Sequence, residues 1–253
     1  FSLPICRYWI PFGRKSGFLW VMISTSPKSI SFMLYSKAFT DALTLTLSIA
    51  ANVTFGSCNF PFLYSLIKGK SSPHPFPIFL PKGIQYRHIG KLKNIDAFNY
   101  NMIYKIHEYI HTDYMLLVHY DGFVVNPDMW RDEFLDYDYI GSPFPLPKDD
   151  FSYRDAGGNI CRVGNSVSIR SKRLLEFPTK AGIPFEADHG FFNEDGFICC
   201  KNRHLFEAEG MRYAPLEVAK YFGHESMIPE VEGIRPFVFH KWAGTNKEYP
   251  KFY

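Results

Sequence analysis

Apolar residues along this chain gather into short runs of two kinds. Tyr114 to Val118 (YMLLV) is a continuous apolar run without polar alternation, which predicts a strand buried on both faces. Asp96 to His111 repeats instead at three- and four-residue steps. Phe98, Met102, Ile103, Ile106 and Ile110 fall on one side, and Asn101, Lys105 and Glu108 on the other. That spacing predicts an amphipathic helix. Ile30 to Tyr35 predicts a first strand, Phe55 to Leu66 contains another, and Ile78 to Leu80 and Ile84 to Ile89 are short extended pieces. Ala38 to Ala51 reads as a helix with Leu43, Leu47 and Ala50 on one face, although the Leu-Thr-Leu-Thr-Leu alternation inside it also suits a strand.

Beyond residue 120, Asn126-Pro127 reads as a helix cap and first-turn proline, with Met129, Trp130 and Phe134 as the buried face. Tyr137 to Ile140 is a short strand ended by Gly141. A loop rich in glycine and asparagine leads into a strand at Val167 and Ile169, and Lys172 to Phe177 is a short helix. Asn193 caps a helix opening with Glu194-Asp195, Pro215 to Phe222 opens another, and Phe237-Val238-Phe239 is a last strand. Strand, helix and strand in this order predict an α/β fold with a mixed, mainly parallel sheet flanked by helices. Residues 29–253 are expected to form one domain behind an extension, residues 1–28, that shows no period.

The 253 residues, 46% hydrophobic and 18% aromatic, suffice for one sizeable core. A net charge of +3 is too mild and too dispersed for nucleic-acid binding. The five cysteines have no metal-type spacing and predict reduced thiols in a cytoplasmic protein. No apolar run reaches membrane-spanning length. The basic and aromatic residues of 1–28 leave two readings, an extension draped on the domain or a patch touching the inner face of a membrane. Since the chain begins at Phe1, its natural start is expected to lie upstream.

The candidate chemistry starts at His119-Tyr120-Asp121-Gly122. A carboxylate directly after a buried strand sits at the carboxyl edge of the sheet, where ligands of open α/β sheets bind. Asp121 there can hold Mg²⁺ or Mn²⁺ against a diphosphate. His119, two residues away on the same side of an extended chain, suits Mn²⁺. An aspartate that caps a turn explains the same residues. Glu194-Asp195, in a first helical turn, is either a capping pair or a general base kept ionised by the helix dipole. His240 ends an apolar strand, and gains weight only if the fold brings it to Asp121. Asn165 lies in the loop that offers backbone amides to a phosphate or sugar, and Arg170 can hold a phosphate or an internal carboxylate.

Five stretches carry a resemblance: 98–144 (FNYNMIYKIHEYIHTDYMLLVHYDGFVVNPDMWRDEFLDYDYIGSPF), VGNSVSIRSKRLLE at 163–176, NEDGFIC at 193–199, APLEVAKYFGHES at 214–226 and PFVFHKW at 236–242. In this order they resemble a largely uncharacterised group of bacterial proteins assigned to the GT-A type of nucleotide-sugar glycosyltransferase. The resemblance implies a GT-A-like, Rossmann-like domain that moves a sugar from a nucleoside-diphosphate sugar to a glycan or glycolipid acceptor. It also implies that His119-Tyr120-Asp121 stands in place of the fold's Asp-x-Asp metal-diphosphate motif, with histidine replacing the first ligand. Asp195, then Glu194, would supply the base, and His240 would complete an Mn²⁺ or Mg²⁺ site with Asp121. The family's Gly-Asn-Gly-Gly loop appears as Gly164-Asn165-Ser166-Val167. Tyr35 and Ser36, after the first strand, are candidates for the nucleoside pocket by position. Two rival readings stand beside this one: a nucleotide-sugar or glycan-binding protein that has lost catalysis, and a metal-dependent phosphohydrolase or nucleotidyltransferase.

Overall fold

A computed structural model of the chain describes residues 30–35, 43–47, 84–88, 92, 94–119, 122–186 and 193–240. Residues 1–28, the expected strand within Phe55 to Leu66 and the piece at Ile78 to Leu80 lie outside the described residues.

The architecture is mixed α/β. Strands β1 (Ile30–Tyr35), β2 (Leu43–Leu47), β3 (Ile84–His88), β4 (Tyr114–His119), β6 (Tyr139–Pro143) and β7 (Val163–Ser171) form one sheet in the order β3-β2-β1-β4-β7-β6. A second sheet has the order β5-β9-β8, from Phe123–Val124, Val238–Phe239 and Gly223–His224. Among the described helices are α1 (Ile95–Tyr104), α2 (Lys172–Lys180), α3 (Arg203–Ala208) and α4 (Leu216–Phe222). No helix of the described residues is long and apolar enough to cross a membrane.

Several expectations are corrected. Leu43–Leu47 is a strand paired antiparallel to both β1 and β3, so the Leu-Thr alternation prevails over the helical spacing there. The large sheet is mixed but not mainly parallel, because β1 and β4 are its one parallel pair among the described strands. Parallel neighbours need a long, usually helical crossover. The described residues place α1 between β1 and β4, but no helix in the 144–162 connection from β6 to β7. The first amphipathic helix ends at Tyr104 and gives way to a 3₁₀ turn, Ile106–Tyr109, which still buries Ile106. The helix expected after Pro127 is two 3₁₀ turns, Pro127–Met129 and Asp132–Asp136, separated at the extended Arg131. β6 runs past Gly141 to Pro143, with a register shift against β7 between Gly141 and Ser142.

β4 explains the continuous apolar run. Met115 and Leu117 face α1 and α2, packing with Phe98, Met102, Ile106 and Leu175. Leu116 and Val118 face the other way, into a cluster with Phe134, Ile169, Phe222 and Phe237. Successive side chains point to opposite faces, and here both faces are covered. A third cluster seats the helical segment 194–208 through Phe197, Ile198, Cys199 and Phe206 against Tyr139 and Leu174.

Candidate functional site

The site lies at the carboxyl edge of β4. β1 and β4 run parallel with Tyr35 opposite His119, so both strands end at the same edge. Of these two residues the structure describes the backbone. Ser36 and Asp121 lie outside the described residues.

Gly122 follows that edge and has no room for a side chain. A Cβ there would lie 2.6 Å from His240 Cδ2, 2.7 Å from Val167 Cγ2 and 2.9 Å from the Phe239 carbonyl. The glycine therefore answers a close backbone approach. β5 pairs antiparallel with β9, Phe123 opposite Phe239, and this carries His240 to the turn after β4. Residues far apart in sequence thus meet at Gly122, while the approach to Asp121 that the functional reading of His240 requires lies outside the described residues. The His240 amide donates to the His224 carbonyl at 3.0 Å, and its Nδ1 stands 3.7 Å from Glu225 Oε2, both side chains largely buried.

Asn193 precedes the acidic pair without a capping bond from its own side chain. Its Oδ1 accepts from Asn99 Nδ2 at 3.4 Å, while the Glu194 amide donates to Asn99 Oδ1 at 3.2 Å. Glu194 is buried, and its Oε1 accepts from Arg170 Nη2 at 3.1 Å. Of the two roles open to Arg170, the internal carboxylate is the one found. Its guanidinium also donates to Ser168 Oγ at 2.9 Å. Burial works against its charge, but Tyr139 and Glu194 outweigh it and raise its pKa.

Asp195 is half-buried. Burial first, then the charges of Glu194 and Glu225, push its carboxyl up to about 7. The Gly196 amide, which donates to Asp195 Oδ1 at 2.9 Å, and Arg170 pull the other way without prevailing. This corrects the expectation that a helix dipole holds the carboxylate ionised. The α-helical turn spans only Glu194–Gly196 before a π-helical turn, Phe197–Lys201, so little aligned dipole stands behind it. A carboxyl that titrates near neutrality still suits proton transfer.

Asn165 sits in the irregular part of β7, where Ser142 pairs with Gly164 and Gly141 with Ser168. Its φ of 84° is left-handed, and its carbonyl accepts a short bond from the Tyr139 hydroxyl. Its Oδ1 accepts from the Val167 amide at 3.2 Å, while Nδ2 is buried without a hydrogen-bond partner. Val167 packs on Gly122.

Two residues of this site escaped the sequence reading. Glu225 lies within the quoted stretch APLEVAKYFGHES, as a carboxylate directly after a short strand. Asn99 stands one residue into the helical stripe of Phe98, Met102, Ile103 and Ile106, a polar side chain on an apolar face, and it is fully buried.

Among the described residues no group of three or more His, Cys, Asp or Glu side chains is placed to hold a metal ion. His240 and Glu225 offer one nitrogen and one carboxylate, short of the oxygen-rich shell that Mg²⁺ or Mn²⁺ prefers. These residues alone do not fit a resident cation.

A family model described as "protein of unknown function (DUF5672)" matches residues 88–240, more than half of the chain. No curated protein and no solved structure matches the chain.

Proposed function

This chain belongs to the DUF5672 family, and we propose that it is a GT-A-like glycosyltransferase that moves a sugar from a nucleoside-diphosphate sugar to a hydroxyl of a glycan or glycolipid. The observation that carries this reading is Asp195. Its carboxyl is held near neutrality by burial, Glu194 and Glu225, and Glu225 in turn stands beside His240, which packs on the turn after β4. The edge where β1 and β4 end together is the side of an α/β sheet that receives nucleotides.

In this reading Tyr35, Ser36 and Asp121 are the candidates for holding the nucleoside and the diphosphate. Asp195 accepts the proton of the acceptor hydroxyl as that oxygen bonds to the anomeric carbon. The bond from this carbon to the diphosphate breaks, and the nucleoside diphosphate leaves with the electron pair. Its carboxyl, pushed up to about 7, exchanges its proton near neutral pH, as a group that takes the acceptor's proton must. A divalent cation held by Asp121 and His240, with His119 beside them, belongs to the proposal only through the resemblance.

The Val167 side chain against Gly122 favours the alternative reading, a nucleotide-sugar or glycan-binding protein without turnover, since it narrows the space beside the edge. A screen of nucleoside-diphosphate sugars with acceptor oligosaccharides, read by mass spectrometry, separates the two. Release of nucleoside diphosphate with sugar transfer that is lost in both Asp195→Asn and Asp121→Ala supports the transferase. Saturable donor binding without product in any combination overturns it.

A further inference from the structure

We propose that Asn99, Arg170 and Glu194 are positioning residues that clamp the turn at 193–195 from two sides and thereby aim Asp195 at the edge of β4. The inference rests on the transferase reading for its purpose, but its geometry does not.

The turn is short and carries little regular structure of its own, since its α-helical part is Glu194–Gly196. From one side α1 reaches it through Asn99, whose amide group makes both available kinds of bond: Oδ1 accepts from the Glu194 amide, and Nδ2 donates to Asn193 Oδ1. From the other side β7 reaches it through Arg170, in a buried ion pair with Glu194. Arg170 is fixed in its own strand by Ser168 Oγ and by the Ser166 carbonyl. Glu194 is thus consumed by the scaffold on backbone and side chain alike and is not the base. Asp195, the next residue, is the member of the pair left partly exposed.

Such a clamp does two things. It fixes the direction of the Asp195 carboxyl, because both of the turn's neighbours in space are rigid elements. It also keeps a negative charge beside Asp195 that cannot swing away. The groups facing Asp195 are Glu194 on its own turn, Arg170 on β7, Tyr139 on β6, Cys199 on the following π-helical turn and Glu225 after β8.

The test follows Asp195 directly and needs no substrate. Chains carrying ¹³C in aspartate carboxyl groups are titrated across the neutral range by NMR. The Asp195 signal is assigned by its disappearance in Asp195→Asn. In the wild type the midpoint is expected near 7. Glu194→Gln removes the fixed charge and leaves Arg170 uncompensated, so the midpoint falls by about one unit or more. Asn99→Ala leaves the ion pair in place and releases the turn, so the Asp195 signal broadens and its midpoint moves toward the ordinary carboxylate range. Should Glu194→Gln unfold, Asn99→Ala decides. A folded Asn99→Ala chain whose Asp195 titrates with the midpoint and line width of the wild type overturns the proposal. That outcome would leave the transferase reading standing, and a failed turnover screen would leave the clamp standing.

Discussion

Arg170 Nη2 and Glu194 Oε1 meet at 3.1 Å, and solvent reaches neither side chain. Taking two charges out of water is costly, and the pair holds only because the partners neutralise each other and share further hydrogen bonds. Truncating Glu194 to alanine strands a guanidinium in the core. The expected loss is about 3–5 kcal/mol of unfolding free energy, read as a lower urea midpoint. Replacing both residues by apolar ones, Arg170→Met with Glu194→Leu, is expected to cost clearly less than either single truncation.

Asp195 gives the fold a pH dependence of opposite sign to that of most carboxylates. Its carboxyl moves from 3.8 to about 7 on folding. Below about pH 4 it is protonated in both states. Between there and 7 the folded chain keeps a proton that the unfolded chain has released, so stability falls as pH rises through this window and levels off above it. Asp195→Asn should therefore be more stable than the wild type at pH 8, by on the order of 1–3 kcal/mol. The difference should vanish near pH 4, as urea denaturation at the two pH values would show. The same variant is expected to lose sugar transfer by about a hundredfold or more.

Gly122→Ala tests the close approach at the strand edge. The added methyl meets His240, Val167 and the Phe239 carbonyl, and the carbonyl is backbone that cannot swing aside. Overpacking of this kind costs roughly 1–3 kcal/mol. The expected outcome is a lowered melting temperature together with weakened donor binding, because His240 must shift. A wild-type melting temperature would show that the turn has more room than described.

Asp138 is a second, purely structural centre. It accepts from Ser171 Oγ at 2.6 Å, Arg173 Nε at 2.6 Å and the Arg212 amide at 2.9 Å, and it ties β6, β7 and α2 together. Burial opposes its charge, but the bonds from Arg173, Ser171 and Arg212 outweigh this and depress its pKa. Its contribution is present above the ordinary carboxylate range and is lost as pH falls through its lowered value. Asp138→Ala should cost about 2–3 kcal/mol at neutral pH and less in acid, measured by denaturation at both.

The elements that position the site were legible where a single local signal decided them. The unbroken apolar run of β4 required burial on both faces. Phe237 to Phe239 announced the strand that delivers His240, and the acidic turn at 194–195 was visible as a pair. Other features depend on the partners a residue meets. The Leu-Thr repeat at 43–47 fits a helix or a strand until β1 and β3 flank it. The sheet's mixed direction follows from connections, not from the strands themselves. The elevated Asp195 pKa comes first from burial, then from its neighbour Glu194 and from Glu225, thirty positions away. Asn99 was readable in principle as a polar intruder on an apolar stripe, but its partners were not.

The two-residue strand β9 joins β5 on one flank and β8 on the other. During synthesis its residues leave the ribosome after every other described segment except His240 itself. β5 and β8 remain without their shared middle strand until then, and the histidine has no seat beside Gly122. The assembly of this edge is accordingly a late event in the life of the nascent polypeptide, and a chain halted before residue 237 would carry Asp195 and Glu225 beside an unfinished second sheet.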